Sequence, residues 1–283
     1  MILPPDIIAL EDSTEHINIM VYGDPGVGKT VFAGSSNNPL ILATEPGTLS
    51  ASRQGSKGRV WPSTTWEGFK SGYEWLYDNV SEPDFPFDWV VVDTGTTLQE
   101  VILEDIVTKR TESDASKNPD KVELQEWGDM HNRFRKYVNK INDLPVNVLW
   151  TAHAMMTEDE EANEFRMPQF QGKGNQMAMW MASRMHAYGY MHNVTVNVKK
   201  ADGSLVPANR RRIQWTATET VRAKDRFDCL GPFTTVGNAK TTRPLSDLTK
   251  MIHESAAIDE KTPVKKAPAK KVAAKKAVPA VVK

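Results

Sequence analysis

The sequence predicts an open α/β fold: a mostly parallel sheet flanked by helices, with antiparallel strands at its C-terminal side. Three observations predict it. Four short runs, INIMVY (17–22), LILAT (40–44), DWVVVD (88–93) and VNVLWTAH (146–153), are continuously apolar rather than alternating, as strands are when both sheet faces are covered. Segments with helical spacing fall between them, clearest at 125–144, where Trp127, Met130, Phe134, Val138 and Ile141 share one face. That alternation of strand and helix calls for parallel pairing through crossover connections.

The first run leads directly into Gly23-Asp24-Pro25-Gly26-Val27-Gly28-Lys29-Thr30, followed by Val31, which matches G-x-x-x-x-G-K-[ST] without a gap. Glycines let backbone N–H groups close around phosphate oxygens. Lys29 reaches the β- and γ-phosphates, and the Thr30 hydroxyl is placed to ligate Mg²⁺. The segment therefore predicts ATP with Mg²⁺ as ligand. The second run ends at Glu45, before the turn-forming Pro46 and Gly47. A carboxylate there, on the edge where open α/β sheets hold ligands, could orient the attacking water; the alternative is a solvated loop glutamate. The third run ends at Asp93, at the spacing of a magnesium-side carboxylate. Because Thr94 and not a second acid follows, the catalytic base must come from elsewhere. His153 closes the fourth run on the same edge, either as a sensor of the γ-phosphate or as a structural histidine.

Beyond His153 the character changes. Residues 154–176 are polar and glycine-containing and read as a long loop, and 177–192 are rich in Met and Trp. NVTVNVKK and RRRIQWTATE flank Ala201-Asp202-Gly203-Ser204, a hairpin signal that extends the sheet with antiparallel strands. A final helix is expected at 245–255. From Lys261 to Lys283 there are eight lysines and no acid, with Ala, Pro and Val between them and no aromatic residue, which predicts disorder. The expected organisation is one domain over 1–260 and a tail over 261–283.

The formal net charge of −1 conceals segregation: residues 1–260 carry 27 basic and 36 acidic groups, net −9. No stretch approaches the length of a membrane helix, and the start, MILPPDIIALED, is unlike a signal peptide. A single cysteine, Cys229, excludes an intrachain disulfide framework, so a cytoplasmic location is expected, the host cytoplasm for a phage-encoded chain. Six scattered histidines without an H-x-x-x-H pair argue against a protein-held transition metal.

GDPGVGKT, LILATEPG, WVVVDTGTT and VLWTAH, in that order over about residues 15–235, resemble the RecA-type ATPase core, and especially compact phage RecA-like recombinases and annealing ATPases. The resemblance implies a RecA-like P-loop NTPase with Glu45 as base and His153 as the polar residue before a DNA loop. It also implies a homo-oligomer with ATP at subunit interfaces. Val221-Arg222-Ala223-Lys224-Asp225-Arg226-Phe227 resembles the element whose cations reach a neighbour's γ-phosphate, with Lys224 and Arg226 as the fingers; a solvated basic strand is the alternative.

Single-stranded DNA is the expected partner. The segment RMPQFQGKGNQ (166–176) offers Phe170 for stacking and Arg166 and Lys173 for phosphates; a surface loop with one buried aromatic is the alternative. The charged segment 109–121, from Lys109 and Arg110 to Lys121, stands where a first DNA loop would sit. The acidic run Thr157-Glu158-Asp159-Glu160-Glu161 is a poor phosphate binder, and Arg210, Arg211 and Arg212 read as a solvated hairpin end. The lysine tail 261–283 either binds DNA through counterion release or solubilises the chain. A helicase-like motor or loader, and a DNA-coating scaffold with ATP as a structural ligand, remain alternative functions.

Overall fold

The computed structural model describes residues 16–199, 203–236 and 243–259. The lysine tail and the first half of the turn expected at 201–204 lie outside the described residues. Strands β1 (Asn18–Gly23), β2 (Pro39–Ala43) and β4 (Trp89–Asp93) fall on three of the expected runs, joined by β3 (Arg59–Pro62) at the sheet edge. Between them lie α1 (Lys29–Ala33), α2 (Leu49–Arg53) and α3 (Trp66–Asn79). Helices α4 (Gly95–Ser113) and α5 (Leu124–Asn142) follow, and then β5 (Asn147–Glu158). The C-terminal part contributes β6 (Glu164–Pro168), α6 (Gln176–Ser183), β7 (Ala187–Lys199), β8 (Leu205–Gln214), β9 (Lys224–Asp225), β10 (Phe233–Val236) and α7 (Pro244–Asp259).

The strands run β10-β8-β7-β1-β5-β4-β2-β3 across one sheet. From β7 to β3 every pair is parallel, whereas β8 and β10 join antiparallel at the C-terminal side, as the sequence predicts. Alternate residues of each central strand feed two separate cores. Met20, Tyr22, Val90, Val92, Val148 and Trp150 pack under α3, α4 and α5. Ile19, Val21, Val91 and Leu149 pack with Phe32 of α1 and Leu245 and Leu248 of α7 on the other face. Burial on both faces is why these runs read as continuously apolar. The parallel strands consequently end together, and Gly23, Ala43, Asp93 and His153 share one carboxyl edge.

Several sequence expectations are corrected. Residues 154–176 are not a long loop: β5 continues to Glu158 and pairs antiparallel with β6, from Ala154 opposite Pro168 to Glu158 opposite Glu164. Met155, Met156, Phe165 and Met167 supply strand character that the polar residues around them mask. The acidic run forms the tip, where the Asp159 carboxylate accepts from the backbone N–H groups of Glu161 and Asn163. The start of the charged segment 109–121 is the last turn of α4, and three of its cations are paired with carboxylates. Lys109 bridges Asp105 and Glu67, Arg110 bridges Glu123 and Glu126, and Lys117 reaches Glu123.

Candidate functional site

The loop between β1 and α1 is built by glycine. Gly26 and Gly28 adopt positive φ, 77° and 107°, which a residue with a β-carbon resists. Gly23 is required for another reason: a β-carbon there would lie 2.5 Å from the Met191 carbonyl oxygen of β7. Lys29 is 6 % exposed and curls back over the loop, its Nζ donating to the carbonyls of Gly23 at 2.8 Å and Asp24 at 3.2 Å. Burial holds its pKa below the usual lysine value, although Asp93, Glu45 and Asp24 pull the other way. Val27 and Val31 anchor the loop beneath, while Asp24 and Pro25 are exposed. The Tyr190 hydroxyl donates to Asp24 Oδ2 at 3.3 Å.

Asp93 lies at the bottom of the site, 3 % exposed. Thr30 Oγ1 donates to its Oδ2 at 2.7 Å, and Thr151 Oγ1 donates to its Oδ1. Burial drives the Asp93 carboxyl above the ordinary aspartate range, against the pull of those two hydroxyl bonds and of Lys29. A buried carboxylate beside a threonine hydroxyl is a hard-oxygen donor pair of the kind Mg²⁺ takes, and a cation there would supply the charge that burial removes.

Glu45 and His153 are brought together. The Glu45 carboxylate accepts from Thr97 Oγ1 at 2.9 Å, and His153 Nε2 is 3.3 Å from Glu45 Oε2. The His153 contact, ahead of Thr97, holds the Glu45 carboxyl below the usual glutamate range in spite of partial burial. Thr97 is positioned by the start of α4, where the N-cap Thr94 accepts from the Thr97 N–H. Thr97 and Thr151, which orient the two carboxylates, carry no sequence signal beyond their place near strand ends. His153 continues the network outward: its N–H donates to Thr96 Oγ1 at 3.0 Å, Thr96 Oγ1 donates to the Gln169 carbonyl at 2.9 Å, and the Gln169 N–H returns to the His153 carbonyl at 2.8 Å.

Other expected residues fall elsewhere. Phe170 is not a stacking platform: it is 5 % exposed, packed on Phe134 with ring centroids 5.6 Å apart. An apolar ring next to a helix of matching aromatic spacing is drawn into the core. Lys173 is exposed between Gly172 and Gly174, and Arg166 is half-buried with its guanidinium over the Tyr190 ring. Lys224 and Arg226 do not join the phosphate loop of their own chain. Lys224 pairs with Tyr188 at the amino end of β7, whereas Gly23 is flanked by Met191. Lys224 Nζ donates to the Ala182 carbonyl at 2.7 Å, and burial, with the charge of Arg226, pushes its pKa down to about 8. Arg226 is exposed. Arg210, Arg211 and Arg212 lie in the inner half of β8 rather than at the hairpin end; Arg210 is exposed, Arg211 and Arg212 are half-buried, and Arg211 rests on the phosphate loop.

A glycine-built loop, a buried lysine and a Thr–Asp pair on the carboxyl edge of a parallel sheet define a P-loop nucleotide-binding domain. The sequence profile of the AAA_24 family, an AAA domain, matches residues 15–227, and the chain belongs to that family. No curated protein sequence matches it. Among solved structures it is similar to the flagellar accessory protein FlaH from Methanocaldococcus jannaschii, at 11% identity and a TM-score of 0.32, over 78% of this chain and 91% of that one.

Proposed function

We propose that this protein is a RecA-like ATPase of the compact phage type, hydrolysing ATP under the control of single-stranded DNA in recombination, annealing or replication. The observation that carries the reading is the juxtaposition of Thr30 with Asp93 and of Glu45 with His153 on one edge. Lys29 and the loop amides bind and orient the phosphates. Thr30 and Asp93 would hold Mg²⁺, which supplies charge to the phosphates. Glu45, kept ionised by His153 and Thr97, accepts hydrogen bonds from the attacking water and aligns it. His153 then links the water-positioning carboxylate to segment 169–175 through Thr96 and Gln169. Lys173 within that segment and Arg166 beside it are the groups on which DNA phosphates would act.

ATP would sit between subunits, with Lys224 and Arg226 serving a neighbour's phosphates. Their distance from the chain's own loop supports action in trans, which couples hydrolysis to assembly. The tail 261–283 adds a salt-sensitive tether for DNA. Among the described residues no helix is long and apolar enough to cross a membrane.

The test is ATP hydrolysis by the purified protein with and without single-stranded DNA, alongside Lys29→Ala. Stimulation by DNA that disappears in the variant is the expected result. Hydrolysis indifferent to DNA would remove the nucleic-acid part of the proposal, and equal DNA binding with and without ATP at negligible turnover would replace it with a scaffold.

A further inference from the structure

We propose that Arg211 is a phosphate-binding residue of the nucleotide site, a cation supplied by the chain's own β8 strand. The inference rests on the P-loop reading and adds a residue to that site. β8 lies two strands from β1, with β7 between them. Gly23 pairs with Met191 of β7, and Met191 pairs with Ile213 of β8. Met191 and Ile213 pack in the same core as Val21 and Val27, beneath the phosphate loop. Two residues back along β8, Arg211 is opposite Asn193 and therefore projects from the same face, beyond the carboxyl ends of the parallel strands. That register brings its side chain onto the loop.

The contact is close. A β-carbon at Gly28 would lie 2.8 Å from Arg211 Nε, 2.9 Å from Cζ and 3.1 Å from Cδ. Gly28, the residue before Lys29, has left-handed backbone, and the guanidinium occupies the space where a side chain would be.

The chemistry of the contact points to an anion. Other half-buried arginines use their head groups. Arg166 lies over Tyr190, Arg212 over Phe233 and Arg222 over Phe165, while Arg110 and Arg133 are ion-paired. Arg211 is half-buried, yet its guanidinium makes no hydrogen bond, ion pair or ring contact among the described residues. A guanidinium carries five donors in a fixed fork that matches phosphate oxygens. Here it lies beside a loop that presents backbone N–H groups, within a site that already contains Lys29. Without an anion, the guanidinium and the ammonium repel one another; a polyphosphate on the loop satisfies both. Packing alone explains the position of the aliphatic stem but not the unused head group.

The experiment measures equilibrium binding of Mg-ATP and Mg-ADP, and ATP turnover, in the full-length protein and in Arg211→Met, which keeps the stem and removes the charge. Arg211→Lys, Arg210→Met and Lys29→Ala are measured in parallel, each with a melting curve. Loss of nucleotide affinity by about 10- to 100-fold in Arg211→Met, the range of a charge-assisted hydrogen bond, is expected. Arg211→Lys should lose several-fold and Arg210→Met should match the wild type. A loss shared by ADP and ATP assigns the contact to the α- or β-phosphate, and a loss confined to ATP assigns it to the γ-phosphate. Wild-type affinity and turnover in Arg211→Met overturn the inference. If that variant melts early, unchanged affinity in a folded Arg211→Lys overturns it equally, since an ammonium cannot reproduce the fork. Dependence on Lys29 but not on Arg211 leaves the P-loop reading intact, whereas a wild type that binds no nucleotide removes both.

Discussion

Two carboxylates end neighbouring strands of the same sheet edge, yet their surroundings drive them in opposite directions. Asp93 is 3 % exposed beneath Thr30 and Thr151, and burial raises its pKa. Glu45, two residues past the Ala43 that pairs with Asp93, is only partly covered, and His153 and Thr97 lower its pKa. Depth accounts for the difference: a charge deprived of water needs a cation, whereas one at the rim is stabilised by hydrogen-bond donors. The deep acid is therefore suited to a metal and the rim acid to water. When two titratable groups are pushed apart in this way, their roles can be assigned from their environments.

The largest effect should come from removing the charge that serves both halves. Lys29→Ala is expected to lower ATP turnover by roughly two to three orders of magnitude, the scale for deleting one electrostatic contact to a reacting group. Turnover within a few-fold of wild type in a steady-state assay would show that the loop does not hold the reacting phosphate.

The next test shifts the rim acid alone. In His153→Ala, Glu45 loses the largest of the contacts that lower its pKa, so it should titrate closer to an ordinary glutamate. The acid limb of the kcat profile should move to higher pH, with turnover at neutral pH falling by about 10-fold. An unmoved acid limb would detach His153 from Glu45.

The third test probes the deep acid through stability. The folded-state pKa of Asp93 is raised, so its contribution to stability is present below the unfolded pKa and lost as pH rises through the folded one. Asp93→Asn should accordingly raise the melting temperature of the metal-free protein at neutral pH by a few degrees while abolishing stabilisation by Mg-ATP. A lower melting temperature in metal-free buffer would mean that the hydroxyl bonds outweigh burial.

The smallest effect concerns Lys224. Its folded pKa is depressed to about 8, below the unfolded value, so the charged form destabilises the fold and stability should increase as pH rises past 8 towards the ordinary lysine value. Lys224→Met should flatten that rise slightly in thermal denaturation scans, and a slope identical to wild type would contradict it. If Lys224 also serves a neighbour, turnover should fall in the same variant.

The parts of the molecule that repeat a local rule were legible in the sequence. Strands buried on both faces read as apolar runs, and the phosphate loop reads from glycine spacing, so β1, β2, β4, the core of β5 and Lys29, Thr30 and Asp93 emerge from composition and order alone. What depends on register was not legible. That β5 pairs with β6 turns an apparent loop into a hairpin, and that Phe170 meets Phe134 takes it out of any nucleic-acid surface. Arg211 shows this most clearly: within RRRIQ nothing distinguishes it from its neighbours, and only the β7–β8 pairing carries it to Gly28. The hydroxyls of Thr97 and Thr151 are equally silent, because a threonine near a strand end is ordinary until its partner is known.

The central claim is that Glu45 aligns the water while the rest of the site binds the nucleotide. Single-turnover hydrolysis by Glu45→Gln, with ATP affinity measured on the same sample, tests it most directly. The account predicts a rate lowered by about 100-fold or more with affinity within a few-fold of wild type. A rate near wild type would contradict it and return the search for the base to other residues on the carboxyl edge.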